Sequence, residues 1–241
     1  MEIKKIAGAL GAELSGLDLR QPLTESMAAE VRQAFLAHKV IFLRRQPLDA
    51  NQFLRFARAF GQPIEYPFVK GIDGHPEIIE VKKLEHETVN FGGVWHSDTT
   101  YLEVPPMGTM LLSKEIPPYG GDTLFANQVR AYEALSDTMK RLLDGLQGIS
   151  SSAKADVSKT REDRLRSDGK ESSPKDYVAT HPVVRTHPET GEKALFVNVA
   201  HTVGIEGLTE AESASLLRFL FEHQVKPEFT CRWRWETDCI A

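Results

Sequence analysis

A mixed α/β domain with a mainly β core and helices packed outside it is the architecture this sequence calls for. Three observations carry that reading. Short apolar or alternating runs of strand length recur along the chain, separated by turn-forming residues. Capped helical patterns stand at the start and between the strands, without strict βα alternation. No internal repeat or composition break divides residues 1–241, so a single domain is expected.

The elements follow in order. TESMAAEVRQAFLAH (24–38) puts Met27, Val31, Ala34, Phe35 and His38 on one helical face, with Thr24 as N-cap. VIFLR (40–44) is a short buried strand. DANQFLRFARAFG (49–61) is a second helix, capped by Asp49 and stopped by Gly61. EIIEVKK (77–83), VWHSDTTYLE (94–103) and MGTMLLSKEI (107–116) read as strands. PPYGG then turns the chain into the strand DTLFAN (122–127). Residues 128–147 are helical, with a break near Ser136.

Residues 150–177 are polar, charged and poor in large apolar side chains, which predicts a surface loop and makes an active-site lid the second reading. HPVVRTHPETGEKALFVN (181–198) forms a hairpin turning at ETG. LTEAESASLLRFLFEHQ (208–224) is a helix, and Thr209 with Glu212 has capping-box spacing. In FTCRWRWETDCIA (229–241), Cys231, Trp233 and Trp235 alternate with Arg232 and Arg234, the pattern of a strand covered on one face. Cys239-Ile240-Ala241 has the character of a buried strand, not of a polar tail.

Composition narrows the function classes. A net charge of −5 offers no basic surface for nucleic acid. No apolar run is long enough to span a bilayer, and no signal-peptide core is present, so a cytoplasmic protein is expected. Cys231 and Cys239 alone do not make a disulfide framework.

The chemistry concentrates at His96 and Asp98. In an extended chain residues i and i+2 share a face, so an imidazole nitrogen and a carboxylate oxygen would project together. Such a pair supplies two-thirds of a 2-His-1-carboxylate iron site, which leaves coordination positions open for substrate and oxygen. On its own the tripeptide is also compatible with a polar step in a half-exposed strand.

The surrounding segment VNFGGVWHSDTTYLEVPPMGTMLLSKEIPPYGGDTLFAN, with its WH-x-D, PP and GGDT elements, resembles the taurine dioxygenase family of Fe(II)/2-oxoglutarate enzymes. That family includes alkylsulfatases and phenoxyalkanoate dioxygenases. LGAELSGLDLRQPL, VIFLR, HPVVRTHPETGEKALFVN and KPEFTCRWRW resemble family segments in the same order, so the resemblance covers essentially the whole chain. It implies a double-stranded β-helix, or jelly roll, with flanking helices. It implies Fe(II) as cofactor, held by His96 and Asp98, with 2-oxoglutarate and O2 as cosubstrates. Thr123 would help hold the distal carboxylate of 2-oxoglutarate, and Tyr66 would border the substrate pocket. The reaction implied is hydroxylation of a small, anionic substrate (a sulfonate, alkyl sulfate or aryloxyalkanoate) with succinate and CO2 as co-products. Association into dimers or tetramers is the family's habit.

Two departures from the family pattern shape the expectations. The family segment matching RWRWETDCIA continues into a stretch carrying the second iron histidine, and then an arginine for 2-oxoglutarate. Neither lies within residues 1–241, so the sequence is expected to be a C-terminally truncated domain, and an inactive jelly-roll remnant is the rival reading. His181, His187, His201 and His223 are the candidate replacements, each better read as a hydrogen-bonded or exposed structural histidine. A hydrolytic metalloenzyme using the same pair is a third reading, opposed by the GGDT and RWRW context. Gly92 and Pro63 stand where taurine-type members carry an asparagine and a histidine, which argues against taurine itself.

Overall fold

The computed structural model describes residues 1–86, 92–155 and 176–241. Ten strands and five α-helices are found among them. At the N-terminus β1 (Glu2–Lys5) pairs antiparallel with β2 (Ala12–Ser15), and β2 pairs parallel with β3 (Ile41–Phe42). Helices α1 (Glu25–His38) and α2 (Ala50–Arg58) pack beside this sheet. Thr24 and Asp49 cap them as the sequence predicts, Asp49 in a full capping box with Gln52. Val31, Ala34, Phe56, Leu14 and Leu43 form the core beneath them.

The second half follows the sequence closely. Strand β4 (Thr123–Ala126) leads into α3 (Gln128–Glu133) and α4 (Asp137–Leu143), with Ser136 capping α4 at the expected break. Strand β5 (Gln147–Ser151) lies between β6 (Val178–Pro182) and β9 (Thr202–Ile205). The predicted hairpin is β7 (Val184–Thr186) with β8 (Lys193–Leu195). Helix α5 (Glu210–His223) starts at the Thr209–Glu212 capping box. Strand β10 (Thr230–Trp233) pairs antiparallel with β4. Cys231, Trp233 and Trp235 are buried while Arg232 and Arg234 are exposed, and Trp233 stacks on Phe42 at 4.1 Å. The described strands are thus spread over four short sheets, with helices on the outside.

Ile240 is 1% exposed and bridges both Leu43 and Leu112, so the strand-like reading of 239–241 holds. Three other strand expectations do not. Residues 77–83 form no strand, because Val81, which an alternating strand would bury, is 55% exposed. Residues 107–116 reach only the single bridge at Leu112. Residues 94–103 turn instead of extending. The polar stretch read as a loop and lid lies outside the described residues over 156–175. Its flanks are described: Ser150 and Ser151 belong to β5, and Ser152 and Tyr177 exchange two hydrogen bonds at 3.0 Å.

Candidate metal centre

Gly92 (φ 67°) and Thr99 (φ 51°) adopt left-handed backbone conformations, and the Leu102 N–H closes a turn onto Thr99 O at 2.9 Å. Such residues cannot continue an extended ladder, which is why 94–103 is no strand. The two candidate ligands meet all the same: His96 Nε2 lies 3.1 Å from Asp98 Oδ1.

The remaining atoms of the pair are tied back to the protein. His96 Nδ1 is 2.7 Å from the carbonyl oxygen of Val94. A carbonyl only accepts, so Nδ1 carries a proton and Nε2 is the nitrogen left for a metal. Asp98 Oδ2 accepts a 2.5 Å hydrogen bond from Thr109 Oγ1, leaving Oδ1 as the oxygen that faces His96. Two donors bound at right angles to one ion at about 2.1 Å stand about 3.0 Å apart. The observed spacing therefore fits adjacent positions on a metal, and the donor set suits Fe(II).

Without a metal the two side chains stabilise each other's charged forms. A hydrogen bond from protonated His96 to the Asp98 carboxylate raises the His96 pKa above its ordinary value, against the opposing effect of burial. Burial pushes the Asp98 carboxyl up, but the hydrogen bonds from His96 and Thr109 outweigh it and leave the pKa lowered. Asp98 is thus an anion over the physiological range. Among the described residues no third His, Cys, Asp or Glu joins the pair in a metal-binding group.

An aromatic wall stands on the Asp98 side. Tyr101 is 1% exposed, and its hydroxyl is hydrogen bonded to that of Tyr66 at 3.3 Å. Phe68 packs edge-on to both rings, and Tyr177 packs edge-on to Phe68. Burial raises the Tyr66 pKa, and the Asp98 charge adds to the effect, so both hydroxyls stay protonated. Tyr66 is therefore near enough to Asp98 to feel its charge.

His201 completes this wall, edge-on to Tyr101 at 4.9 Å. His201 is 6% exposed, and its buried Nδ1 has no hydrogen-bond partner among the described residues. Burial, then repulsion from His96, lowers its pKa to about 4. The other three histidines are structural, as expected. His181 Nε2 is 2.9 Å from Leu102 O, and His223 Nε2 is 2.8 Å from Ala131 O. His187 Nδ1 accepts from the Glu189 and Thr190 N–H groups in the hairpin turn.

Thr123 stands at the start of β4, opposite Trp233 of β10. Its Oγ1 accepts from Trp235 Nε1 at 2.9 Å, so its own hydroxyl proton is available to a ligand carboxylate. His96 also borders a cavity of about 330 Å³, lined in addition by Trp95, Ser97, Leu124, Asn198 and Gln224. A 490 Å³ cleft at Gly8, Arg130 and Phe229 contains none of these site residues.

Sequence reasoning gave no role to Thr109, Tyr101 or His201. Tyr101 lies within the VWHSDTTYLE segment that carries the family resemblance. Thr109 and His201 carry no local signal.

The chain matches the taurine catabolism dioxygenase TauD, TfdA family over residues 2–241. It is 34% identical to an alpha-ketoglutarate-dependent sulfate ester dioxygenase of Pseudomonas putida, covering 100% of this chain and 80% of the relative. It is 33% identical to an alkylsulfatase of Acinetobacter baylyi, covering 98% and 74%. Among solved structures, a taurine dioxygenase from Burkholderia xenovorans superimposes with a TM-score of 0.82 at 36% identity, over 99% of this chain and 79% of that one.

Proposed function

We propose, from the premise that this chain belongs to the taurine catabolism dioxygenase TauD, TfdA family, that it hydroxylates a small anionic organic substrate at an Fe(II) centre. The family is one of 2-oxoglutarate-dependent dioxygenases, alpha-ketoglutarate being the same compound. The observation that carries the reading is the 3.1 Å approach of His96 Nε2 to Asp98 Oδ1, each residue's other atom being fixed by Val94 or Thr109.

His96 and Asp98 hold the metal. Bound Fe(II) with 2-oxoglutarate supplies the activation of O2, so that a substrate C–H becomes C–OH while 2-oxoglutarate is converted to succinate and CO2. Thr123 donates its hydroxyl proton to the distal carboxylate of 2-oxoglutarate, its oxygen being held by Trp235. Tyr66, Tyr101 and His201 wall the substrate side and exclude water from it. Hydroxylation at a carbon bearing a sulfate, sulfonate or aryloxy group gives a product that collapses and releases that group.

Sulfate esters are favoured within this range, because the two relatives named above act on or are named for them. Gly92 and Pro63 present no side-chain polar group to an aminosulfonate. The strands of the four sheets are taken as walls of a double-stranded β-helix, in line with the solved relative. The reading takes the third iron ligand and the arginine for 2-oxoglutarate from outside residues 1–241. Sequencing the coding DNA past the codon for Ala241 tests that part directly. The protein is assigned to the cytoplasm, where Cys231 and Cys239 stay as the free thiols the structure shows.

The decisive experiment incubates the full-length protein with Fe(II), 2-oxoglutarate, O2 and a medium-chain alkyl sulfate. Succinate and inorganic sulfate are expected to form in equal amounts. No 2-oxoglutarate consumption with any sulfate, sulfonate or aryloxyalkanoate would overturn the reading. It would favour the inactive-remnant alternative, which has in its support that only two ligands are present among the described residues.

A further inference from the structure

We propose that Thr109 is a positioning residue for the metal centre: its hydroxyl locks the Asp98 carboxylate so that Oδ1 faces His96 Nε2. The proposal rests on the reading of His96 and Asp98 as iron ligands and goes beyond it.

The argument starts from the mobility of a carboxylate. Rotation about the last torsion of an aspartate is soft, and its two oxygens are chemically equivalent until something distinguishes them. Asp98 sits on a turn outside any strand ladder, with 44% of its side chain exposed. The turn's own backbone does not fix which oxygen is presented. Thr109 does: its Oγ1 donates to Oδ2 at 2.5 Å, a charge-assisted bond to an ionised acceptor.

Thr109 can serve as an anchor because its segment is fastened to the core. Leu111 N–H donates to Ala241 O, and Ser113 N–H to Cys239 O, both at 2.9 Å. Leu112 bridges Ile240, which is 1% exposed. Gly108, next to Thr109, lies beside Phe35 of α1, at ordinary contact distance from its ring. The irregular ligand turn thus takes its rigidity from a hydroxyl mounted on the buried strand contact of 239–241. Outer partners of this kind orient metal ligands, and their loss weakens metal binding by about 10- to 100-fold.

The test measures anaerobic Fe(II) affinity of the metal-free, full-length protein by calorimetry, beside its thermal midpoint. Thr109→Val keeps the shape and removes the donor; it is expected to weaken Fe(II) binding about 10- to 100-fold with an unchanged midpoint. Thr109→Ala, which adds no bulk, should fall with it. Thr109→Ser restores the hydroxyl and should stay within about threefold of wild type. Wild-type affinity in the valine and alanine variants overturns the proposal. So does a serine variant as weak as valine, since the methyl group would then be the active part. Asp98→Ala is the control that separates the two levels. If it binds iron like wild type, the ligand assignment itself fails. If it loses iron while Thr109→Val does not, only the role of Thr109 fails.

Discussion

The layer formed by α3, α4 and α5 against β7, β8 and β9 and the turn region 92–109 are built on opposite principles. In the first, Leu143, Val183, Leu195, Leu217 and Leu220 pack into one apolar cluster, and the helices begin at their capping residues. Its stability comes from buried area and regular backbone bonding. In the second, backbone ladders are replaced by single contacts from side chains: His96 to Val94, Thr109 to Asp98, Asn198 to Thr100. The comparison separates scaffold from site. The helical layer is defined by periodicity, whereas the turn that carries the proposed metal pair is defined by a few specific polar bonds.

Substitutions in the two regions should therefore fail in different ways. The largest expected effect is at Asp98. Asp98→Ala removes one of the two proposed ligands, and the Fe(II) binding heat of the full-length protein should vanish. Its unfolding midpoint should change little, because the side chain is 44% exposed. Retained iron affinity, or collapse of the fold, would contradict the division.

Leu220→Ala tests the other side. Leu220 is fully buried in α5, and its truncation should cost about 2–5 kcal/mol of unfolding free energy. Fe(II) affinity of the remaining folded protein should stay within about threefold of wild type. Urea titration beside calorimetry measures both quantities. A variant with normal stability and lost iron binding would show that the helical layer holds the site directly.

The same division explains what the sequence disclosed. Thr24, Asp49, Ser136 and Thr209 are local signals, and each caps its helix in the structure. The alternation of Cys231, Trp233 and Trp235 with two arginines is local too, and it holds. The strand expectation for 94–103 fails because Thr99 adopts a left-handed φ that β-branched residues rarely take. His96 and Asp98 were legible as residue types and through their resemblance to a family motif, though not through the extended geometry first assigned to them. Thr109 was illegible: its partner is distant in sequence, and a threonine in an apolar run reads as a strand residue. His201 was legible only as one histidine among several, because its missing partner is a property of three-dimensional packing.

His201 offers the smallest of these effects. It is scaffold by position, just before β9, and site by its contact with Tyr101. Its folded pKa of about 4 lies below the ordinary 6.5, through burial and then through repulsion from His96. Between those values the unfolded chain binds a proton that the folded protein does not. The stabilising contribution is thus fully present above pH 6.5 and lost as pH falls through 4. Between pH 7 and 5 the metal-free wild type should lose about 1–2 kcal/mol from this group alone. His201→Phe keeps an aromatic edge against Tyr101 and removes the titration, so its unfolding free energy should fall less over the same interval. Parallel pH profiles for the two proteins would show that His201 ionises as freely when folded as when unfolded, and that the buried, partnerless nitrogen is satisfied by water.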